Sequence, residues 1–155
     1  MPHPAIGSPA PDFTLPDADG RPLSLSALRR SPVVLFFYPQ DDTPICTKEA
    51  CAFRDSYADL RGLDAHVIGV SDDDAEAHKR FAARHALPFP LLTDAGGNVR
   101  KQYGVRGFLG LLKGRTTFVI DAAGNGAAVI DDGLRADRHV REALGTLRAQ
   151  RATRS

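Results

Sequence analysis

The sequence predicts an α/β fold: a central mixed sheet flanked by helices, with a β-hairpin extension at the N-terminus. Three observations lead there. The runs "VVLFFY" and "HVIGV" are short, apolar and rich in β-branched or aromatic residues, as expected of strands covered on both faces. Other segments repeat their apolar residues every three or four positions, the period of a helix with one buried face. The two kinds alternate along the chain, which places helices on both sides of one sheet. With 155 residues and no repeat, linker or low-complexity stretch, residues 1–155 read as a single domain.

Each element has its own signal. "FTLPD" and "PLSL" flank an Asp-Gly turn and form the hairpin. "SPVVLFFYP" is the first central strand. "TPICTKEACAFRDSYADLRGL" is helical, with Ala50, Phe53, Tyr57 and Leu60 as its buried stripe. "AHVIGVS" is a second buried strand, and "SDDDAEAHKRFAARHAL" a helix opened by capping Ser and Asp residues. The Pro-rich "PFPLLTD" is extended, and "AGGNVRKQYGV" holds a short helix. "RTTFVIDAAGNGAAVIDDG" gives two strands joined at Gly-Asn-Gly, and "ADRHVREALGTLRAQR" closes the chain as a helix with Val140, Leu144 and Leu147 on one face. A strand, a turn and then a helix with cysteine in its first turn point to a thioredoxin-like topology.

Composition removes several classes of function. The chain is 43% hydrophobic and 25% charged, with 20 basic against 19 acidic residues and a formal charge of +1. Interspersed charges leave no basic stripe to neutralise phosphates, so no nucleic-acid partner is expected. The basic "RAQRATRS" reads as cations favouring a helix C-terminus. "VVLFFY" is far too short to span a bilayer. "MPHPAIGSPAPDF" lacks the charged and apolar regions of an export signal, so the expected location is cytoplasmic. In such a reducing compartment two thiols are more often redox-active or metal-binding than structural.

Those two thiols, Cys46 and Cys51, are the only cysteines in the chain. Cys46 falls in the first turn of its helix, where unpaired N–H groups and the helix dipole favour an anion. Thiolate is the reactive form, and a free cysteine is only ~3% thiolate at pH 7. A helix end supplies about 0.5 to 2 kcal/mol, so a cation brought in by the fold is also called for. Lys48 is near in sequence but does not obviously provide it. Cys51 follows at i+5, where an intact helix separates the Cα atoms by ~8.7 Å, against the ~7 Å limit for a disulfide. A bond between them therefore requires the first helical turn to unwind. Zinc would need four ligands, and two cysteines without paired-histidine spacing fall short.

The segment "FYPQDDTPICTKEACAFRD" closely resembles the active-site stretch of peroxiredoxins, in the bacterioferritin-comigratory-protein or PrxQ branch. Pro39, Thr43 and Cys46 match that family's Pro-x-x-x-Thr/Ser-x-x-Cys pattern, and Cys51 matches the branch's resolving cysteine. Arg115, in "GRTTFVIDAAG", matches the arginine before a "TFVID"-like strand. The resemblance covers nearly the whole chain and implies a thioredoxin-dependent thiol peroxidase. Cys46 would attack hydrogen peroxide or an organic hydroperoxide. Thr43, Arg115 and the Cys46 N–H would donate hydrogen bonds to it, and Arg115 would be the missing cation. Pro39 and Pro44 would shape and shield the pocket. Cys46 sulfenic acid would condense with Cys51 to an intrachain disulfide, which thioredoxin or a similar dithiol would reduce. No cofactor or metal is implied, and pairing within one chain makes a monomer sufficient.

Two departures from the pattern stand out. Ile45 replaces the glycine common before the peroxidatic cysteine, and its β-branch stiffens the turn at the peroxide entrance. "VRGFLGLLKG" is short and apolar: Phe108, Leu109, Leu111 and Leu112 are expected either to bury into the core or, if exposed, to frame the active site, receive an alkyl peroxide tail or form a dimer contact. Glu49, Arg54 and Asp55 read as helix-face charges, and Thr43 on its own as an N-cap. His66, His78, His85 and His139 show no ligand or dyad spacing. Two other functions remain open: a thiol–disulfide oxidoreductase, which the i+5 spacing disfavours, and a redox-sensing module whose helix unwinds on oxidation.

Overall fold

In the computed structural model, residues 3–28, 30–105, 115–133 and 135–154 are described. Seven strands and five helices occur among them. β1 (Thr14–Pro16) and β2 (Pro22–Ser24) pair antiparallel as the expected hairpin. Its turn is closed by Asp17, whose carboxylate accepts from the Asp19 and Arg21 N–H groups. β3 (Val33–Phe37), β4 (His66–Ser71), β5 (Leu91–Thr93), β6 (Thr116–Ile120) and β7 (Gly126–Asp131) form a sheet of order β5-β4-β3-β6-β7. β3 runs parallel to β4 and antiparallel to β6, so the sheet is mixed and β3 lies at its centre.

All five residues of β3 are buried, and their alternation divides the interior in two. Val34 and Phe36 face α1 (Pro44–Asp55), α2 (Tyr57–Gly62), α3 (Ala75–His85) and α5 (Ala136–Arg154), through Ala50, Phe53, Leu60, Phe81, Val140 and Leu147. Val33, Leu35 and Phe37 face the other layer, made by Phe13, Leu25, Val99, Tyr103 and Phe118. That layer includes α4 (Asn98–Gln102). The thioredoxin-like expectation is met, with four helices on one face and a thinner cover on the other.

One helix read as continuous is two. The ladder breaks at Ser56, which has φ −99° and ψ 7° and ends α1 by donating to the Ala52 carbonyl. Asp and Ser compete with the backbone for hydrogen bonds, which makes 55–56 the weak point. Below the break Arg54 reaches across, its Nη1 donating to the His85 carbonyl at the end of α3 (2.8 Å). α3 opens on Asp74, whose side chain accepts from the Ala77 N–H (2.9 Å), and stops at Ala86 in the left-handed region (φ 50°). The apolar segment 107–112 lies outside the described residues. No described helix is long and apolar enough to cross a membrane.

Candidate active site

Tyr38 continues β3, its N–H donating to the Val70 carbonyl, and the chain then turns through residues 39–43 into α1. Pro44 occupies the first helical position, where its missing N–H costs nothing. The first i→i−4 bond in α1 runs from the Thr47 N–H to the Thr43 carbonyl (2.8 Å). The N–H groups of Ile45 and Cys46 thus belong to the helix's unsatisfied end. Cys46 is 1% exposed and lines the core together with Ala50 and Phe53.

Arg115 enters from 69 residues away, at the head of β6. Its Nη2 donates to the Cys46 Sγ (3.3 Å), and its Nη1 donates to the Gly133 carbonyl (2.7 Å). The second bond fixes the guanidinium between two elements and aims it at the sulfur. A second guanidinium was not foreseen. Arg100 on α4 donates through Nη2 to the Tyr38 carbonyl (3.0 Å). Burial holds its pKa below the usual arginine value, opposed by the charges of Asp72, Asp94 and Cys46. Two cations therefore act on one sulfur, one of them by direct contact.

Thr43 sits at the N-cap position, yet its side chain makes no cap bond. Its hydroxyl donates to the Gln40 carbonyl (3.0 Å), which differs from the donor-to-peroxide role expected of it. The lone pairs of that oxygen stay available to accept a hydrogen bond from a substrate. Pro39 is half-buried beside Tyr38. Cys51, five residues after Cys46 on unbroken α1, is half-buried, and both thiols are free. The structure thus brings Cys46 and Arg115 together and keeps Cys51 on the same rod.

Two buried polar networks support the site, and both use residues the sequence reading passed over. Asp41, in the turn before α1, accepts from the Tyr38 hydroxyl (2.6 Å) and pairs with His78 Nδ1 (2.7 Å). His78 Nε2 donates to the Leu92 carbonyl (3.1 Å). Asp73 accepts from the Asp41 N–H (2.8 Å) and the Ser71 hydroxyl (2.7 Å). Asp41, Asp73 and His78 are close enough to read as metal ligands, but these bonds already engage their donor atoms. Burial and Asp41 push the Tyr38 phenol well above its ordinary pKa, so it stays a donor. The active-site turn is in effect clamped to β4, α3 and β5.

The other network surrounds Glu49, which is not the helix-face charge expected. It is wholly buried, one turn past Cys46. His139 on α5 donates from Nε2 to the Asp132 carbonyl (2.8 Å), so its Nδ1, 2.7 Å from the Thr117 hydroxyl, accepts. Burial lowers the His139 pKa and keeps the ring neutral. Its 3.5 Å approach to Glu49 is therefore not an ion pair. Both Glu49 oxygens are without a hydrogen-bond partner among the described residues. Burial pushes the Glu49 pKa up to about 8, although Arg115 pulls the other way.

A hollow of about 220 Å³ opens at the opposite end of β3 and β6, lined by Pro9, Leu25, Leu28, Ile120 and Asn125. No site residue borders it, and size alone does not outweigh the chemistry around Cys46.

A family model described as AhpC/TSA family matches residues 6–127. The chain belongs to this family. Among curated relatives of this AhpC/TSA member, "Peroxiredoxin Q, chloroplastic" of Sedum lineare is 48% identical over 144 residues, covering 92% of this chain and 77% of that protein. Among solved structures, peroxidoxin BcpB from Mycobacterium tuberculosis superposes with a TM-score of 0.87 at 46% identity, over 95% of this chain and 98% of that one. The bacterioferritin comigratory protein of Xanthomonas campestris, described for its alkyl peroxide reduction activity, gives a TM-score of 0.82 at 26% identity, over 89% and 91%. The family, relatives and structural neighbours make this chain a thiol peroxidase with a thioredoxin-like fold.

Proposed function

We propose that this peroxidase reduces hydrogen peroxide and organic hydroperoxides at Cys46 and resolves the product with Cys51. The observation that carries the assignment is the 3.3 Å bond from Arg115 Nη2 to the Cys46 Sγ. The Cys46 thiolate attacks the hydroxyl oxygen of the peroxide and the O–O bond breaks. The electron pair leaves with the second oxygen, which takes up a proton to become water or an alcohol. Cys46 becomes a sulfenic acid. Arg115 and the Cys46 N–H stabilise the departing charge, since pre-placed donors need no rearrangement as it develops. Thr43 accepts a hydrogen bond from the peroxide O–H on the lone pairs that its bond to Gln40 leaves available, and so holds the peroxide in line for attack. Pro39 and Ile45 border the entrance.

Condensation of the sulfenic acid with the Cys51 thiol forms the S–S bond and releases water. A dithiol such as thioredoxin, the type of reductant peroxiredoxins use, then regenerates both thiols. Two thiols on one helix make the cycle complete within one chain, which supports a monomer. A cycle that must return both cysteines to thiols suits a reducing compartment, and the cytoplasm is proposed on that ground. Stopped-flow mixing of reduced protein with hydrogen peroxide tests the assignment. Cys46→Ser abolishes turnover, and Cys51→Ser gives one turnover and stops at sulfenate. A wild-type rate no faster than free cysteine would overturn it.

A further inference from the structure

Resolution demands a conformational change that the reduced structure resists, because Cys46 and Cys51 share unbroken α1 at a spacing no disulfide can bridge. Whatever lowers the cost of unwinding residues 44–51 sets how fast the sulfenate is rescued. Between the two cysteines in sequence stands Glu49, fully buried, with neither oxygen hydrogen-bonded among the described residues. A buried carboxyl without a partner is among the most costly groups a fold can hold, and water relieves it at once. We propose that Glu49 is a loaded spring for the resolving step: its uncompensated burial biases α1 towards the unwound form in which Cys46 and Cys51 can meet. This rests on the peroxidase reading, and it assigns Glu49 a positioning role that acts through the helix.

The groups facing Glu49 do not unload the spring. His139 from α5 is neutral, with both ring nitrogens already engaged by Thr117 and Asp132. Thr117 from β6 is engaged with that ring. Arg115, at the head of β6, favours the carboxylate, but burial outweighs it. Cys46, one turn back on α1, brings no positive charge to offset the carboxylate. Wound, the helix holds Glu49 protonated; unwound, Glu49 reaches solvent, loses its proton and cannot return without regaining it. Unwinding is therefore favoured as pH rises from the ordinary carboxylate range to about 8, and the pH effect levels off above that. Over this window the bias grows by at most about tenfold per pH unit.

Glu49→Gln keeps shape and neutrality but cannot ionise. Amide hydrogen exchange across residues 44–51 of the reduced protein, wild type against Glu49→Gln at pH 5.5 and 7.5, reads the opening without any peroxide chemistry. The variant is expected to be better protected, by a factor that rises at least tenfold between the two pH values. Quench-flow mass spectrometry after one equivalent of hydrogen peroxide then follows the Cys46–Cys51 bond. The variant should close it more slowly at pH 7.5 and, when peroxide is raised beyond one equivalent, accumulate sulfinic acid on Cys46 at a smaller excess than wild type. Equal protection in the two proteins at both pH values, or equal closing rates at pH 7.5, would overturn the spring. A wild type that shows the exchange difference but consumes no peroxide would uphold the spring and overturn the peroxidase reading instead.

Discussion

Arg115 illustrates how much one side chain carries. It spans from the Gly133 carbonyl to the Cys46 sulfur, so a point charge at the same place would not reproduce both bonds. Arg115→Ala is expected to lower the second-order rate with hydrogen peroxide by about 10²- to 10³-fold, the usual loss for one pre-placed donor. Arg115→Lys should recover only part of it. A stopped-flow rate within threefold of wild type for Arg115→Ala would remove the residue from the mechanism. The pair was legible in the sequence only by resemblance, since nothing local links positions 46 and 115. Glu49 was legible by periodicity and was still misread. Cys46, Glu49, Ala50 and Phe53 fall at i, i+3, i+4 and i+7, so the acid stands inside the buried stripe. His78 beside Phe81, and His139 beside Val140 and Ala143, sit in the same way on α3 and α5. Their partners, Asp41 and Thr117, are 37 and 22 residues away, a distance no spacing rule covers.

The helices were easier to foresee than their ends. α3 follows its capping signal closely, with Asp74 accepting from Ala77, because an N-cap is a local bond between neighbours. Its C-terminus carries no glycine, and Ala86 takes the left-handed conformation at φ 50° while the Leu87 N–H bonds the Ala82 carbonyl. An L-residue is strained there. Ala86→Gly should raise stability by about 0.5 to 1 kcal/mol, the relief of strain exceeding glycine's extra entropy in the unfolded chain. Urea denaturation measures it, and a lower midpoint would show that the Ala86 methyl contributes packing instead. The break at Ser56 escaped the sequence reading because apolar spacing continues through it, with Tyr57 and Leu60 in phase with Phe53.

At the scale of the whole molecule, the succession of strands and helices along the chain follows from patterns strong enough to read directly. The sheet order β5-β4-β3-β6-β7, by contrast, joins elements far apart in sequence and is set by the fold. The two-sided interior follows from the unbroken apolar run of β3. Packing on the α1 side is close at Gly69 in β4, where an added Cβ would meet the Phe36 ring and the Leu91 side chain, each at 2.8 Å. Phe36 cannot retreat, since it stacks on Phe53 at 4.7 Å and on Tyr38 at 5.5 Å. Gly69→Ala should therefore cost about 1 to 3 kcal/mol through overpacking. Thermal unfolding checks this, and an unchanged midpoint would mean that the aromatic stack yields. The same stack gives the Arg54 bond to His85 its wider meaning. That bond moors the tail of α1 just beyond Phe53. Fraying that begins at Pro44 and halts before Ala52 therefore takes Cys46 and Ala50 off the core but leaves Phe53 held against Phe36. Each round of chemistry can then lift a short cysteine-bearing stub while the aromatic heart of the molecule keeps its stacking, so that little greasy surface is bared to neighbouring molecules.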